Sequence, residues 1–362
     1  MGDNGFRNLV LGVLLAIMVG WLLAVGRPII LPIVASLIIV YIVLGLADLI
    51  GRTPAVGRTL PSGLRHGLAV LAILGALAGL TLALAANVSQ IIASWPVYQE
   101  RLLTLVQTVA VAIGVETEPS WTTLRAELLG RINLQRTLIA SAASVSGILG
   151  TFFVVIVYTG FLLAERGVFA GKIARLSSDP ARVARIRQVI EDINARIGAY
   201  LVTKTLINLL LGALSYGVLR LLGIEFAGFW AILIGLFNYI PYLGSFLGVI
   251  PPALMAALQF GGVWPGVMTG LALSVPQVAI GNFIDPWLMG RSVNLSPFVI
   301  LASLVVWSTI WGVSGAILSV PITAILVIVL SEFQGTRPIA VLLSLDGEVQ
   351  AAGREAVSRT KA

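Results

Sequence analysis

The chain contains no cysteine and only one histidine, His66, among its 362 residues. Without cysteine it has no disulfide, no thiolate nucleophile and no thiolate metal site. A single imidazole excludes a histidine-based metal cluster and gives no support to a Ser-His-Asp triad, which needs a base beside its nucleophile. These absences predict that the chain is not an enzyme and holds no cofactor or metal ion.

Charged residues are also scarce, at 11% of the chain, whereas apolar residues make up 58% and the mean hydropathy is +1.01. This balance excludes an ordinary soluble globular protein and predicts a polytopic membrane protein whose main partner is lipid. The net charge of +7 does not indicate a nucleic-acid partner, because the basic residues flank apolar runs instead of clustering in one soluble domain.

An ATP-binding loop is missing as well. The nearest approach is Gly167 to Ile173, which contains Gly171-Lys172. It lacks both the glycine spacing of a phosphate loop and the Ser or Thr that follows the loop lysine. Active transport by this chain would therefore draw on an ion gradient or a partner, and otherwise the movement would be downhill.

Apolar runs of about 20 residues, the length that crosses a bilayer as a helix, predict an all-α fold with about eight transmembrane helices. Broken or re-entrant segments are expected in the C-terminal half. Fifteen basic residues fall on the side of both termini and seven on the other, so the positive-inside rule places both termini in the cytoplasm. The predicted regions are three N-terminal spans in 1–92, an extramembrane amphipathic helical insert in 93–137, a fourth span in 138–163, a basic cytoplasmic loop in 164–198, a transport region in 199–333 and a cytoplasmic tail in 334–362.

The basic loop carries the signal of an amphipathic helix. Asp179 is a suitable N-cap with Pro180 at the first helical position. Apolar residues then recur at steps of three and four from Val183 to Ile197. We expect a helix that lies on the membrane surface, and the alternative is a coiled-coil seam within or between subunits.

Two hydrophobic stretches contain residues that interrupt helices, and they are the main clue to function. The first is 237–252 and the second is 298–330, where a single helix would be about 50 Å long, well beyond a hydrocarbon core of about 30 Å. Interrupted backbone at membrane depth is tolerated only inside protein or beside a watery cavity. Paired interrupted segments of this kind point to a midplane binding site, sometimes within an inverted repeat. The predicted substrate-binding residues are Asn238, Tyr239, Pro241, Tyr242, Gly244, Ser245, Gly248, Pro251, Asn282, Gly312, Gly315 and Pro321.

Ionisable residues in the C-terminal spans are few, and each is costly near hydrocarbon unless it is paired or wet. The candidates for ion or proton coupling are Asp285, Glu225, Arg291 and Lys204. Asp285 is followed by Pro286 and flanked by two glycines, which we expect to break the helix there. The alternative for Asp285 is a helix cap or an ion pair with Arg291. Lys204 is expected to snorkel towards the cytoplasmic end of its span.

Several motifs of the C-terminal half resemble those of the autoinducer-2 exporter family of bacterial membrane permeases. The similar segments are Asn-Tyr-Ile-Pro with Gly-Ser and Ile-Pro-Pro at 238–252, Asp-Pro with Met-Gly-Arg at 285–291, Leu-Ser at 295–296, Leu-Ser-Val-Pro at 318–321 and the tail at 339–344. The resemblance implies eight spans in a bacterial inner membrane, a homo-oligomer for which a pentamer is the implied number, and export of a small polar furanone-type signal in quorum sensing. Other members of this family resemble sodium(lithium)/proton antiporters.

Three functions therefore stay open from the sequence. The leading one is a multi-pass permease that exports an autoinducer-2-like signal by a secondary or facilitated mechanism. The second is a cation/proton antiporter that uses Asp285, aided by Glu225. The third is a non-transporting oligomeric scaffold in which the glycine-rich motif only permits close helix packing.

Overall fold

A computed structural model describes residues 3–53, 60–112, 134–175, 177–289 and 294–347. All regular structure within these ranges is helical, in agreement with the predicted all-α class. A π-helical turn, Ile280–Ile284, joins the helices Val263–Ala279 and Asp285–Met289. The helices are α1 (Asp3–Val25), α2 (Arg27–Arg52), α3 (Ser62–Ala112), α4 (Leu134–Ala174), α5 (Pro180–Leu221), α6 (Ala227–Phe237), α7 (Leu243–Phe260), α8 (Val263–Ala279), α9 (Asp285–Met289), α10 (Pro297–Trp311), α11 (Val313–Glu332) and α12 (Arg337–Leu343).

Six helices of the described ranges are long and apolar enough to cross a bilayer, or seven when the bent pair Phe153–Glu165 and Gly167–Ala174 counts as one span. Three shorter apolar helices accompany them: Val10–Val25, Ala227–Phe237 and Pro297–Trp311. The chain is therefore a multi-pass α-helical membrane protein. The predicted number of eight exceeds the count of full-length spans because some apolar segments form helices that are too short to cross alone.

The chain divides into two compact units. Unit 1 comprises residues 1–69, 153–202 and 291–362, and unit 2 comprises residues 70–152 and 203–290. In unit 1, α10 packs on α1, α2 and α11, and α11 also contacts α12. In unit 2, α7 packs against both α6 and α8.

In unit 1, two indoles of α10 make hydrogen bonds to neighbouring helices. Trp311 is 1% exposed, and its Nε1 donates to the carbonyl of Leu23 at 2.9 Å. The Trp307 Nε1 donates to the Thr323 hydroxyl at 3.0 Å. Because lipid competes for apolar surface, such packing and interhelical hydrogen bonds are the main attraction between membrane helices.

Two of the family-like motifs meet in unit 1. The backbone amide of Ser296 donates to the carbonyl of Leu343 at 3.2 Å. The Asn294 side chain donates to Asp346 at 2.9 Å and accepts from the amide of Leu345 at 3.1 Å. The segment after α12 is therefore hydrogen-bonded to the residues at the start of α10, so two motifs that are distant in the sequence are in contact in the structure.

The core of unit 2 consists of side chains from five helices and the loop between α5 and α6. Leu211 of α5 and Leu273 of α8 are both 0% exposed, and Ile234 of α6 is 1% exposed. Gly235 and Gly212 let α6 approach the backbone of α5, because a Cβ on Gly235 would lie 3.0 Å from the carbonyl oxygen of Asn208. Small residues at this contact bring the polar side chains of α5 close to those that follow α6.

Two predicted helices are longer than expected. The amphipathic helix predicted in the basic loop continues without interruption into the predicted fifth span as α5, which at 1.5 Å per residue is roughly 63 Å long. Its predicted start is confirmed, since the amide of Ala181 donates to the Asp179 carboxylate at 2.9 Å. The first part of the predicted insert, up to Ala112, likewise continues α3, and residues 113–133 lie outside the described part of the chain.

The first predicted interruption is confirmed but is narrower than expected. Helix α6 ends at Phe237 and α7 begins at Leu243, so the break is confined to 238–242. Gly248 and Pro251 do not interrupt the helix, because both lie inside α7. Tyr242 adopts φ 60° and ψ −51° at the start of α7, a conformation that costs a non-glycine residue roughly 1–3 kcal/mol.

The second interruption falls at Gly312 alone, which has φ 65° and ψ −141°. Only glycine adopts this region readily. Gly315 and Pro321, also predicted as break points, instead lie inside α11. The predicted break at Pro286 is wrong too, because the chain forms a π turn and then continues as α9.

The two helix pairs, α6–α7 and α10–α11, correspond to each other in detail. Pro251 lies eight residues after the first residue of α7, and Pro321 lies eight residues after the first residue of α11. A Cβ on Gly244 would collide with the carbonyl oxygen of Phe237, and one on Gly315 would collide with that of Trp307. In both pairs a glycine in the first turn of the second helix lets the backbone of that helix pack closely against the last turns of the first helix.

Candidate functional site

The polar side chains of unit 2 converge on one stretch of α5. Lys204, Thr205 and Asn208 follow one another at positions i, i+1 and i+4, so the helical period brings them to neighbouring parts of one face. Lys204 is 8% exposed and Asn208 is 4% exposed. Most of the neighbouring positions on α5 are apolar, so the partners of these polar groups decide whether their burial is tolerated.

Two of those partners come from the turn between α6 and α7. The Asn238 Nδ2 donates to the Asn208 Oδ1 at 2.7 Å, and the hydroxyls of Tyr239 and Thr205 are 2.7 Å apart. Asn238 is placed there because α6 ends one residue earlier and its amide still bonds to the carbonyl of Ile234. The helix break therefore turns two polar side chains towards α5, which an unbroken helix would not do.

The third partner is Asp285, whose Oδ2 lies 3.0 Å from the Lys204 Nζ. Lys204 and Asp285 have side chains that are 11% and 21% exposed, so Lys204 does not snorkel as predicted. The π turn positions the carboxylate, because the Asp285 amide bonds to the carbonyl of Ile280 five residues earlier. π turns of this kind occur frequently at functional sites. We call Lys204, Thr205, Asn208, Asn238, Tyr239 and Asp285 the polar cluster.

Three buried polar atoms, two in the polar cluster and one on α8, make no hydrogen bond of good geometry within the described residues. They are the Asn208 Nδ2, the Asp285 Oδ1 and the Gln277 Nε2. A Cβ on Gly248 would lie 3.2 Å from the Gln277 Nε2 and 3.4 Å from Ile234, which places this amide against α6 and α7. An unsatisfied buried polar group costs roughly 1–3 kcal/mol, so these atoms indicate where a polar solute or an ion would be bound.

Glu225 belongs to a different part of unit 2. It lies beyond the end of α5, about 25 Å along that helix from Lys204 at 1.5 Å per residue. The Tyr98 hydroxyl donates to the Glu225 carboxylate, and Arg101 donates to the carbonyl of Gln259 at 2.8 Å. Burial, followed by the hydrogen bond to Glu225, raises the pKa of the Tyr98 phenol above its ordinary value. Glu225 thus fastens the extension of α3 to the α5–α6 loop and does not join Asp285.

The remaining predicted site residues fall in several places. Ser245, Asn282 and Tyr242 are exposed, and Gly244 and Gly248 are buried packing positions. Pro241 lies in the turn and Pro251 inside α7. Gly312, Gly315 and Pro321 belong to unit 1, and Arg291 lies outside the described residues, as does its predicted pairing with Asp285. Their roles in binding stay predictions.

Sequence reasoning did not assign Thr205, Asn208 or Gln277 to the site. Asn208 and Gln277 each carry an uncharged amide in a predicted span, and intramembrane polar residues are rare enough to serve as a signal. Thr205 gave no such signal, because threonine hydroxyls in membrane helices usually bond to their own backbone.

The arrangement offers hydrogen-bonding groups and one ion pair, without the groups of a hydrolytic or metal site. Within the described ranges, no three His, Cys, Asp or Glu residues gather as metal ligands. The amides and hydroxyls of the polar cluster suit an uncharged solute that both donates and accepts hydrogen bonds.

Comparison with known proteins agrees with a transport role. A family model described as AI-2E family transporter matches residues 11–335. The chain is 29% identical over 350 residues to the AI-2 transport protein TqsA of Escherichia coli K12, covering 94% of this chain and 96% of that protein. It is 28% identical over 320 residues to YhhT of the same organism, named as a transport protein, covering 85% and 88% of the two chains. A transport protein of Haemophilus influenzae is 33% identical over 199 residues, which are 55% of this chain and 57% of that protein.

Proposed function

The chain belongs to the AI-2E transporter family, and from that premise we propose that it exports a small, uncharged, hydroxyl-rich signal of the autoinducer-2 class. Membership of a transporter family favours transport over a passive scaffold and over an enzyme. The proposed path is from the cytoplasm across a bacterial inner membrane, with both termini in the cytoplasm. The proposed assembly is a homo-oligomer, with the pentamer implied by the family resemblance as its number.

One observation carries the choice of solute. The Gln277 amide keeps a buried N–H donor without a partner, and the Asn208 amide has the Tyr239 hydroxyl beside it. Both amides lie where the helices of unit 2 meet. A sugar-like ring with several hydroxyls can accept from both donors and can itself donate to the oxygens of Asn238 and Tyr239. A hydrophobic solute would leave these groups unpaired at a cost of roughly 1–3 kcal/mol each.

The name of one relative supports the same solute class. TqsA is named as an AI-2 transport protein, and the alignment with it covers nearly the whole of both chains. The identity of 29% is compatible with a shared transport function but leaves the solute to be tested.

The solute assignment predicts a transport defect in two amide variants. Wild-type protein in proteoliposomes should exchange labelled autoinducer-2 faster than protein-free liposomes do. Asn208→Leu and Gln277→Leu should each slow this exchange, because each lost hydrogen bond to the solute lowers the rate by roughly three- to tenfold. The measurement is counterflow of the labelled signal at equal amounts of reconstituted protein.

Ser274→Ala is the matched control, because the Ser274 hydroxyl already bonds to the carbonyl of Gly270 in its own helix at 2.8 Å. It should exchange the signal at the wild-type rate. The assignment is wrong if wild-type liposomes move no signal, or if both leucine variants move it as fast as the control.

A second candidate, cation/proton antiport, is favoured by one observation, the buried ion pair of Lys204 and Asp285. The same liposomes separate the two functions. An antiporter changes internal pH when sodium or lithium is added without the signal, whereas a signal exporter shows no such response.

A further inference from the structure

The pair of Lys204 and Asp285 has features that a purely structural ion pair does not need. Both side chains are largely buried in a membrane protein, where a pair of this kind is usually no more stabilising than apolar residues of the same size. The carboxylate also keeps its Oδ1 buried and without a partner. A pair that served only for stability would have both oxygens satisfied.

The free oxygen suits a proton better than a metal cation. The Lys204 ammonium already occupies the cation position on Oδ2 at 3.0 Å. A bound sodium ion needs several oxygens around it, and within the described residues no group of three His, Cys, Asp or Glu side chains forms a cation site around Asp285. A proton requires one lone pair, which Oδ1 supplies.

The groups around Asp285 leave few other titrating partners. Helices α6, α7 and α8 contain no Asp, Glu, Lys, Arg or His. Among the described residues of unit 2, Lys204 faces the carboxylate directly, and the Tyr239 hydroxyl reaches Lys204 only through its neighbour Thr205. The proton balance of this site therefore depends on one acid and one ammonium group.

We propose that Asp285 is the proton-binding group of the transporter and that Lys204 is its counterion in the proton-free state. A hydronium ion from the aqueous phase transfers a proton to Oδ1: one O–H bond of hydronium breaks, one O–H bond forms on the carboxylate, and water leaves. The resulting neutral acid no longer attracts the Lys204 ammonium, so α5 and the start of α9 lose their electrostatic connection. This inference rests on the proposed transport function, because it names the ion to which that transport is coupled.

The position of Lys204 explains how proton binding at Asp285 would affect the groups that bind the solute. Lys204 precedes Thr205 and lies one turn before Asn208, and these two residues hold Tyr239 and Asn238 of the α6–α7 turn. Release of Lys204 would therefore loosen the same part of α5 that presents the amide donors. Because Asp285 has one free oxygen, it binds one proton in each transport cycle. We therefore expect one proton to be exchanged for one solute molecule.

The first test observes the proton directly and needs no solute. In infrared difference spectra between acid and alkaline pH, each of the 16 Asp and Glu side chains that gains a proton contributes a C=O stretch. One component of the wild-type band should be missing from Asp285→Asn and from Lys204→Met/Asp285→Asn, which has no lone buried ammonium. Glu225→Gln should keep that component. Spectra of both Asp285 variants that show the complete wild-type band overturn the proposal.

The second test measures coupling as an equilibrium. One-to-one exchange of a proton for an uncharged solute moves charge, so the membrane potential is held at zero with potassium and valinomycin. With a gradient of one pH unit and equal signal on both sides, the exchange should then produce about a tenfold concentration ratio, equivalent to about 1.4 kcal/mol. A protonophore should abolish the ratio, and Asp285→Glu, which keeps an acid, should restore the accumulation that Asp285→Asn loses.

The outcomes separate the two proposals. Wild-type liposomes that equilibrate the signal but never accumulate it contradict proton coupling and leave the export function standing. Accumulation driven by sodium and not by protons also contradicts it. Liposomes that move no signal at all contradict the export function, and the infrared band then decides on its own whether Asp285 binds a proton.

Discussion

Lys204→Met should lower the stability of the folded protein by roughly 3–5 kcal/mol, the usual cost of leaving one charge of a buried pair uncompensated. The Asp285 carboxylate, only 21% exposed, would then lack the ammonium at 3.0 Å. Asp285→Leu should have a similar cost for the opposite reason, because it leaves the Lys204 ammonium unpaired. The measurement is the fraction of detergent-solubilised protein that stays monodisperse after heating.

The double variant Lys204→Met/Asp285→Leu is the decisive control. It replaces both charges with apolar groups of similar size, so it should recover most of the stability that either single variant loses. If the losses of the two single variants simply add in the double variant, the side chains do not interact and the pair is not a unit.

Gly244→Ala and Gly315→Ala should each destabilise the fold by roughly 1–3 kcal/mol through overpacking. In each case the added methyl group would meet a backbone carbonyl oxygen, that of Phe237 or that of Trp307. A carbonyl held in a helix cannot rotate aside as a side chain can. Thermal denaturation of the purified variants in detergent should therefore show both with lower midpoints than the wild type.

Two other glycines provide matched controls. Gly217 and Gly198 both lie in α5, and a Cβ at either position meets no atom within 4 Å. Gly217→Ala and Gly198→Ala should be neutral or slightly stabilising, because alanine favours helix by about 1 kcal/mol over glycine. Equal thermal midpoints for all four variants would show that the close backbone packing at Gly244 and Gly315 is not needed for stability.

The sequence predicted the class of fold because hydrophobicity and helix-interrupting residues are local properties. Apolar runs of sufficient length indicate spans, and the cluster of proline and glycine after Phe237 correctly indicated a break. The same cluster did not indicate which of its residues would interrupt the helix. Pro251 is accommodated inside α7, since proline is tolerated in membrane helices when neighbouring groups satisfy the freed carbonyl.

The polar cluster was only partly predictable, because it depends on which helix faces meet. Asn238, Tyr239, Lys204 and Asp285 were candidates from their rarity or from their place in a motif. Their mutual distances depend on the π turn before Asp285 and on the close approach of α6 to α5 at Gly235. Neither has a sequence signature that can be read from one chain, so the pairing of Lys204 with Asp285 emerged only from the structure.

The absence of cysteine permits a direct test of the central claim, that the polar cluster and Gln277 form the solute site. A Gln277→Cys variant has a single thiol in an otherwise natural background, so its reaction with a small water-soluble methanethiosulfonate reports on that position alone. Leu273→Cys, at a position 0% exposed on the same helix, should stay unreactive. The thiol at position 277 should react, and autoinducer-2 should slow the reaction. A thiol that never reacts, or reacts equally fast with and without the signal, would contradict this claim.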